Sequence, residues 1–178
     1  MTNGLNIVIL AAGKGKRMYS ALPKVLHKIG GQSMLARVIQ TAQALEPENI
    51  IVVYGHGGER VQQAITQNVL WAEQKEQLGT GHAVKMALPQ LPDNGQTLIL
   101  FGDVPLISTR TLHRLLDCAQ NQVGLLTDIL DNPFGYGRII RENGQIVGIV
   151  EEKDANDTEK AISEVNTGIM VLPNQHLS

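Results

Sequence analysis

Residues 6–18 read NIVILAAGKGKRM, an apolar run that passes directly into a loop of glycines and cations. An apolar run as continuous as 6–12 is typical of a strand that is covered on both faces of a parallel sheet. Open α/β sheets bind their ligands at the carboxyl ends of such strands. Glycines let backbone N–H groups approach an anion closely, and Lys14, Arg17 and Lys24 add positive charge. The stretch therefore predicts an α/β fold with a phosphate-binding loop after its first strand.

The loop differs from the two most familiar phosphate-binding motifs. A Walker A loop needs Ser or Thr after its Gly-Lys pair, whereas Arg17 follows Gly15 and its lysine here. A dinucleotide fingerprint needs a third glycine or an alanine at the position that Met18 holds. Taken alone, the loop leaves a solvated surface turn open as the alternative.

Composition and charge limit the classes of partner. The chain has 178 residues, of which 43% are hydrophobic and 18% charged, enough to bury a real core. Its formal net charge of −2 argues against a broad surface for nucleic acid or membrane. No apolar run approaches the roughly 20 residues that span a bilayer, and no charged leader precedes an apolar stretch. We therefore expect a cytoplasmic protein with a local site for a small anion.

Strands and helices alternate along the first 130 residues, as in βαβ units. Apolar runs predict strands at 50–54, 97–101 and 123–127, and Ser33 and Ser108 are candidate helix N-caps. After Gly135 the alternation of strands and helices gives way to hairpins, because Asn143-Gly144 between two short β-like runs predicts a tight turn. We expect a Rossmann-like, open, mostly parallel sheet with helices on both faces at about 1–130, and a hairpin-rich half from about 131 to 178. The single cysteine, Cys118, falls in an apolar helical pattern that predicts a packing role.

Asp103 is the acidic counterpart of the basic loop. It follows the predicted strand 97–101, so its carboxylate is expected at the same edge of the sheet as the loop. Mg²⁺ is usually held by one or two carboxylates together with substrate phosphates. A turn or capping aspartate is the alternative for Asp103 alone. The combination with the cationic loop predicts metal-assisted phosphoryl or nucleotidyl transfer.

A dense set of motifs then resembles one family, the sugar-phosphate nucleotidyltransferases. The motifs are LAAGKGKRM (10–18), PKVL (23–26), VYGH (53–56), QLGTGHA (77–83), GDVPL (102–106), GYGRI (135–139), VEEKD (150–154) and NTG (166–168). QLGTGHA together with GYGRI is the more specific part. Within the family, the chain is similar to the uridylyltransferase domain of the bacterial bifunctional N-acetylglucosamine-1-phosphate uridyltransferase/glucosamine-1-phosphate acetyltransferases.

The resemblance implies a nucleotide-diphospho-sugar transferase fold and a Mg²⁺-assisted reaction. A uridylyl group passes from UTP to N-acetylglucosamine 1-phosphate, giving UDP-N-acetylglucosamine and pyrophosphate for peptidoglycan and lipopolysaccharide precursors. The sugar phosphate oxygen attacks the α-phosphorus in line while pyrophosphate leaves, so catalysis consists of positioning and charge neutralisation. Two alternatives stay open: a nucleotidyltransferase for another sugar or base, and a nucleotide-sugar binding fragment without activity.

The resemblance also implies roles for individual residues. Arg17 and Lys24 neutralise phosphates, and Asp103 holds Mg²⁺. The nucleotide is lined by Leu10, Ala11, Ala12, Gly13, Phe101 and Gly102, and its uracil is contacted by Gln74, Gly79 and Thr80. The sugar is held by Gly137, Glu151 and Asn166. This mixed set of backbone, amide and carboxylate groups suits hydroxyls and an N-acetyl group.

The family's domain is longer than this chain. Residues 1–178 are therefore read as an incomplete nucleotidyltransferase domain, with a nucleotide-binding half at about 1–130 and the start of a sugar-binding half at about 131–178. The second metal ligand is expected beyond residue 178. The family's left-handed β-helix acetyltransferase domain, which makes the full-length protein a homotrimer, is expected outside this sequence.

Overall fold

The computed structural model describes residues 4–13, 20–55 and 57–177. The chain forms two compact units. The core unit comprises Met1–Gly124 and Met170–Ser178, and the hairpin unit comprises Leu125–Ile169. Each unit is described by itself below.

The core unit is built on an open, mostly parallel sheet, which confirms the predicted α/β class. Strand β1 (Leu5–Leu10) lies between β4 (Asn49–Tyr54) and β6 (Gln96–Phe101) and is parallel to both. β5 (Leu70–Glu73) continues the sheet parallel to β4. Every residue of β1 is buried, as its nearly continuous apolar sequence predicts for a central strand. Residues 170–173 of β10 (Glu164–Pro173) pair antiparallel with β6.

The described part of the core unit contains four α-helices. They are α1 (Met34–Gln43), α2 (Glu59–Ala64), α3 (Thr80–Ala87) and α4 (Thr109–Ala119). Ser33 Oγ accepts a hydrogen bond from the Ala36 amide, and Ser108 Oγ accepts one from Thr111, so both predicted N-caps are confirmed. Between β1 and α1 the chain forms a 3₁₀ helix, Lys24–Leu26, and a two-residue hairpin of β2 (Lys28–Ile29) with β3 (Gln32–Ser33).

The prediction that Cys118 packs in the core is wrong. Cys118 is exposed on α4, whose buried face consists of Leu112, Leu115, Leu116 and Ala119. Each residue turns a helix by roughly 100°, so Cys118 lies about 200° around the axis from Leu116. It therefore belongs to the polar side of the helix although its sequence neighbours are apolar.

The hairpin unit contains β8 (Arg138–Glu142) and β9 (Gln145–Val150), paired antiparallel. Asn143 and Gly144 join them with φ of 50° and 81°, the left-handed backbone of a tight hairpin turn, and this confirms the predicted hairpin. The unit also includes α5 (Asp157–Lys160), capped by a reciprocal pair of hydrogen bonds between Asn156 and Glu159. β7 (Gly124–Ile129) pairs with β10.

Among the described residues, no helix has the length and apolar character needed to cross a membrane.

Candidate active site

A cavity of about 270 Å³ opens in the core unit at the carboxyl ends of β1 and β6. These strands are adjacent, and their last residues, Leu10 and Phe101, pair in the sheet register. This is the edge at which open α/β sheets bind ligands. The cavity is lined by Leu10, Ala11, Ala12, Gly13, Lys24, Val25, Gln74, Gln77, Gly79, Thr80, Ala83, Phe101 and Asp103.

An ion pair stands at one side of the cavity. Lys24 Nζ lies 2.6 Å from Asp103 Oδ2, and the two side chains are 40% and 31% exposed. The turn that carries Asp103 is anchored by backbone hydrogen bonds, because Gly102 N donates to Leu10 O at 2.9 Å. A Cβ at Gly102 would lie 3.3 Å from the side chains of Ala11 and Val25, so a small residue suits this close approach. The sheet thus positions the acidic group, and the 3₁₀ helix Lys24–Leu26 carries the basic one.

Asp103 suits a metal ion whose remaining coordination positions are filled by oxygens of a substrate. Within residues 4–13, 20–55 and 57–177, no three His, Cys, Asp or Glu side chains are grouped as a protein metal cage requires. A single hard carboxylate at the mouth of a cavity agrees instead with the way Mg²⁺ is usually bound, through few protein ligands and the phosphates of a substrate.

Another part of the cavity wall is formed by the segment between β5 and α3. Gln74 is only 3% exposed, and its Nε2 donates to Gly79 O at 3.1 Å and lies 3.1 Å from His82 Nδ1. Gly79 has φ of 103°, a left-handed conformation that favours glycine, and it directly precedes α3. This backbone brings Thr80, the first residue of α3, to the cavity wall.

Gln77 is a cavity residue that sequence reasoning missed. Its Nε2 donates to Ala12 O and so joins the β5–α3 segment to the loop after β1. The approach is tight, since a Cβ at Gly55 would lie 2.7 Å from the same carbonyl oxygen. Gln77 opens the QLGTGHA motif, so the motif could have indicated it. Val25 and Ala83 also line the cavity, but nothing in their sequence distinguishes them from core residues.

Of the predicted site residues described in the core unit, the structure gathers all but Gly102 on the cavity wall. Gly102 directly precedes Asp103 and is buried. Arg17 belongs to the stretch 14–19, which lies outside the described residues. The chemical roles assigned to these residues stay predictions.

The three residues predicted to hold a sugar lie close together within the hairpin unit. Asn166 N donates to Gly137 O at 2.8 Å, and a Cβ at Gly137 would lie 3.2 Å from Glu151 Oε1. Asn166 Oδ1 accepts a hydrogen bond from Gly168 N at 2.8 Å. The backbone of β10 and the start of β8 therefore bring together residues that are far apart in the sequence.

Two arginine–glutamate pairs support the same unit. Arg138 is 2% exposed and donates to Glu152 at 2.7 Å, and Arg141 makes two 2.7 Å hydrogen bonds to Glu164. The Arg138 hydrogen bond, helped by one from the Gly135 amide, holds the pKa of Glu152 below its ordinary value. The hydrogen bonds from Arg141 lower the pKa of Glu164 in the same way.

The protein has a nucleotidyltransferase-type fold, in which an open, mostly parallel α/β sheet carries a cationic and acidic pair at the carboxyl ends of its strands. Residues 7–130 match the model of the MobA-like NTP transferase domain, and the chain belongs to this family.

Close relatives support a more particular comparison. The chain is 63% identical over 176 residues, 98% of its length, to the bifunctional protein GlmU of Neisseria meningitidis serogroup C. It is 58% identical over 99% of its length to that of Chromobacterium violaceum. The chain spans 39% of the length of each of these relatives.

Solved structures share the fold at low sequence identity. A Bacillus anthracis protein, provisionally assigned as a glucose-1-phosphate thymidylyltransferase and crystallised with a sucrose, is 20% identical with a TM-score of 0.79, covering 97% of this chain and 73% of that one. HddC from Yersinia pseudotuberculosis, complexed with GMP-PN, is 20% identical with a TM-score of 0.68, covering 97% and 78%. At this identity the likeness concerns the fold alone.

Proposed function

We propose that this chain transfers a uridylyl group from UTP to N-acetylglucosamine 1-phosphate, giving UDP-N-acetylglucosamine and pyrophosphate. The observation that carries the proposal is the cavity at the ends of β1 and β6, with the Lys24–Asp103 pair and the Gln74–Gly79–Thr80 wall both lining it. The 63% identity to a GlmU protein supports the choice of nucleotide and sugar.

The cavity supplies what the phosphates of a nucleotide need. Lys24 Nζ is exposed enough to meet a phosphate, and Gly13 continues the loop after β1 along the cavity wall. Arg17 would add a second positive charge, as its position in the basic loop predicts. Asp103 would hold Mg²⁺, which supplies neutralisation of the triphosphate charge.

The reaction requires no protein nucleophile. An oxygen of the sugar phosphate forms a bond to the α-phosphorus of UTP as the bond from that phosphorus to the bridging oxygen of pyrophosphate breaks. The protein holds the two substrates in line and keeps donors aimed at the phosphate oxygens. Leu10, Ala11, Ala12, Phe101 and Gly102 would flank the nucleotide, and Gln74, Gly79 and Thr80 would contact the uracil.

The sugar half of the site is proposed in the hairpin unit. Gly137, Glu151 and Asn166 offer backbone groups, a carboxylate and an amide, which together match the hydroxyl and N-acetyl groups of the sugar. Their closeness in the structure supports a single sugar subsite.

The wider roles are proposed for a longer protein that would include this sequence. Such a protein would take its second metal ligand from outside residues 1–178, would also acetylate glucosamine 1-phosphate, and would assemble as a homotrimer through a left-handed β-helix domain. It would work in the cytoplasm in the synthesis of peptidoglycan and lipopolysaccharide precursors, with small-molecule partners and neither nucleic acid nor membrane.

The test is release of pyrophosphate by this chain in the presence of Mg²⁺. UTP, dTTP and GTP are each combined with N-acetylglucosamine 1-phosphate and with glucose 1-phosphate, and calorimetry measures UTP binding in parallel. We expect release that requires UTP and the N-acetylated sugar. Selective release with another pair would assign the chain to another sugar-1-phosphate nucleotidyltransferase. UTP binding without release from any pair would favour the inactive binding fragment.

A further inference from the structure

The side-chain amide of Gln74 has an orientation that its neighbours determine. Its Nε2 lies 3.1 Å from Gly79 O and 3.1 Å from His82 Nδ1. Side-chain amides can be built with nitrogen and oxygen exchanged, so their orientation is assigned from their partners. A backbone carbonyl only accepts hydrogen bonds. The group that faces Gly79 O must therefore be the amide nitrogen.

The second N–H of Gln74 then determines the state of His82. With one N–H directed to Gly79 O, the other is left for His82 Nδ1. Nδ1 must accept, which requires a neutral imidazole that carries its proton on Nε2. A proton on Nδ1 would set two donors against each other.

With both amide protons engaged, Gln74 has only its oxygen left for a ligand. No described residue donates a hydrogen bond to Oε1. The described side-chain atoms that are both buried and without a partner belong to His27, Gln96 and Arg138, so Oε1 is not fully buried. Gln74 lines the cavity while only 3% of it is exposed. The cavity therefore presents a hydrogen-bond acceptor at this point of its wall.

We propose that His82 is a positioning residue that fixes the Gln74 amide so that the site accepts bases with a ring N–H and rejects cytosine. This inference rests on the proposed nucleotide site. Uracil and thymine carry N–H at the ring nitrogen between their two carbonyl groups, whereas cytosine has an unprotonated acceptor at that position. An acceptor facing an acceptor leaves both unpaired, and unpaired polar groups in a closed site are what give strong discrimination.

His82 acts through Gln74 rather than on the ligand. It does not line the cavity, and it faces a separate surface depression with Glu73, Lys75, Glu76 and Met86. Removal of its acceptor would leave one buried N–H of Gln74 unpaired and the amide held by the single bond to Gly79 O, about which its plane can tilt and move Oε1.

The test compares two substitutions of His82 in the full chain. His82→Asn keeps an acceptor, Oδ1, near the position of Nδ1, and His82→Leu removes it. Calorimetry gives the affinities for UTP and CTP, and thermal melting followed by circular dichroism verifies the fold. We expect His82→Leu to lower the UTP-to-CTP affinity ratio by about tenfold, and His82→Asn to keep it within about twofold. An unchanged ratio in a folded His82→Leu protein overturns the proposal.

A measurement without nucleotide separates this inference from the proposed function. Long-range ¹⁵N–¹H correlation spectra of the ligand-free chain distinguish the two histidine tautomers, and the resonances absent from His82→Asn identify His82. We expect the Nε2–H tautomer. A proton on Nδ1 overturns the role of His82 even if UTP binds. If the native chain does not bind UTP, the proposed function fails, whereas the tautomer still decides the arrangement of Gln74.

Discussion

The core unit and the hairpin unit hold their polar side chains in different ways. In the core unit the candidate residues follow strands whose buried backbone fixes them, as the hydrogen bonds from Ala11 N to Val53 O and from Gly102 N to Leu10 O illustrate. In the hairpin unit β9 leaves Ile146, Val147 and Ile149 between 41% and 53% exposed. There the charged pairs Arg138–Glu152 and Arg141–Glu164 make up part of the framework.

Because of this difference, we expect substitutions in the two units to affect activity and stability differently. A charged side chain at the end of a buried strand contributes little to the fold, because the sheet is held by backbone pairing and apolar burial. A charged side chain that is itself the partner of a buried arginine contributes to the fold directly. Substitutions in the core unit's site should therefore change turnover first, and substitutions of the paired glutamates Glu152 and Glu164 should change stability first.

The largest expected effect is that of Asp103→Asn on Mg²⁺-dependent turnover. We expect a loss of at least about a hundredfold, because the amide has no charge to hold the metal. The thermal midpoint should change little, since Asp103 is 31% exposed and exposed ion pairs contribute about 0–1 kcal/mol. Pyrophosphate release and a circular dichroism melt measure the two quantities.

Asp117→Asn is the matched control, because Asp117 is an exposed aspartate on α4. It should leave both turnover and melting unchanged. Full turnover in Asp103→Asn would remove Asp103 from the mechanism. A large drop in its melting temperature would contradict the contrast between the units, because the site would then be part of the framework.

The sequence predicted best where one local pattern controls the structure. The nearly continuous apolar run of β1 predicts a central strand, and Asp103 after a strand end predicts an acidic group at the ligand edge. The caps Ser33 and Ser108 and the turn Asn143-Gly144 depend on a few neighbouring residues, and all are confirmed.

Contacts between distant segments could not be predicted in this way. The bond from Gln77 to Ala12 joins two loops, and the cavity contact of Val25 depends on the path of the chain after β1. The apolar neighbours of Cys118 predict a buried position, but its angular position on the helix directs its side chain to solvent. Gly137 and Asn166 were predicted to bind the sugar from resemblance alone, since no local pattern relates them.

The second prediction compares the two charged pairs of the hairpin unit. Glu152→Gln and Glu164→Gln each remove the charged partner of an arginine on β8. Arg138 is 2% exposed and Arg141 is 40% exposed, so we expect the greater loss of stability from Glu152→Gln, which leaves a buried guanidinium without its counter-charge. Hydrogen exchange at the amides of β8 and β9 measures the loss within this unit. Equal protection in the two variants would contradict the role of burial.

The same pairs determine how this unit responds to acid. The folded pKa values of Glu152 and Glu164 both lie below the ordinary value of 4.5. A lowered carboxyl pKa adds stability above the unfolded value, and this stability is lost as pH falls through the folded value. Exchange protection in the native hairpin should thus weaken below about pH 4.5. The doubly substituted chain should show less of this dependence.

The smallest effect tests whether the backbone before α3 is part of the site. Gly79 has φ of 103° and ψ of 179°, and a Cβ there would meet no atom within 4 Å, so Gly79→Ala costs only backbone strain, about 1–3 kcal/mol. Gly81→Ala is the matched control inside α3, where Ala is preferred to Gly by about 0.5–1 kcal/mol and space is open. Urea unfolding should show one variant less stable and the other slightly more stable than the native chain.

UTP affinity distinguishes strain that is local from strain that reaches the cavity. The carbonyl of Gly79 accepts from Gln74, so relaxation of the strained alanine would shift that carbonyl and weaken UTP binding several-fold, while Gly81→Ala would bind normally. If Gly79→Ala lost stability and kept its affinity, the left-handed residue would serve only to start the helix. The proposed contact with the base would then depend on Gln74 and His82 and not on the backbone at Gly79.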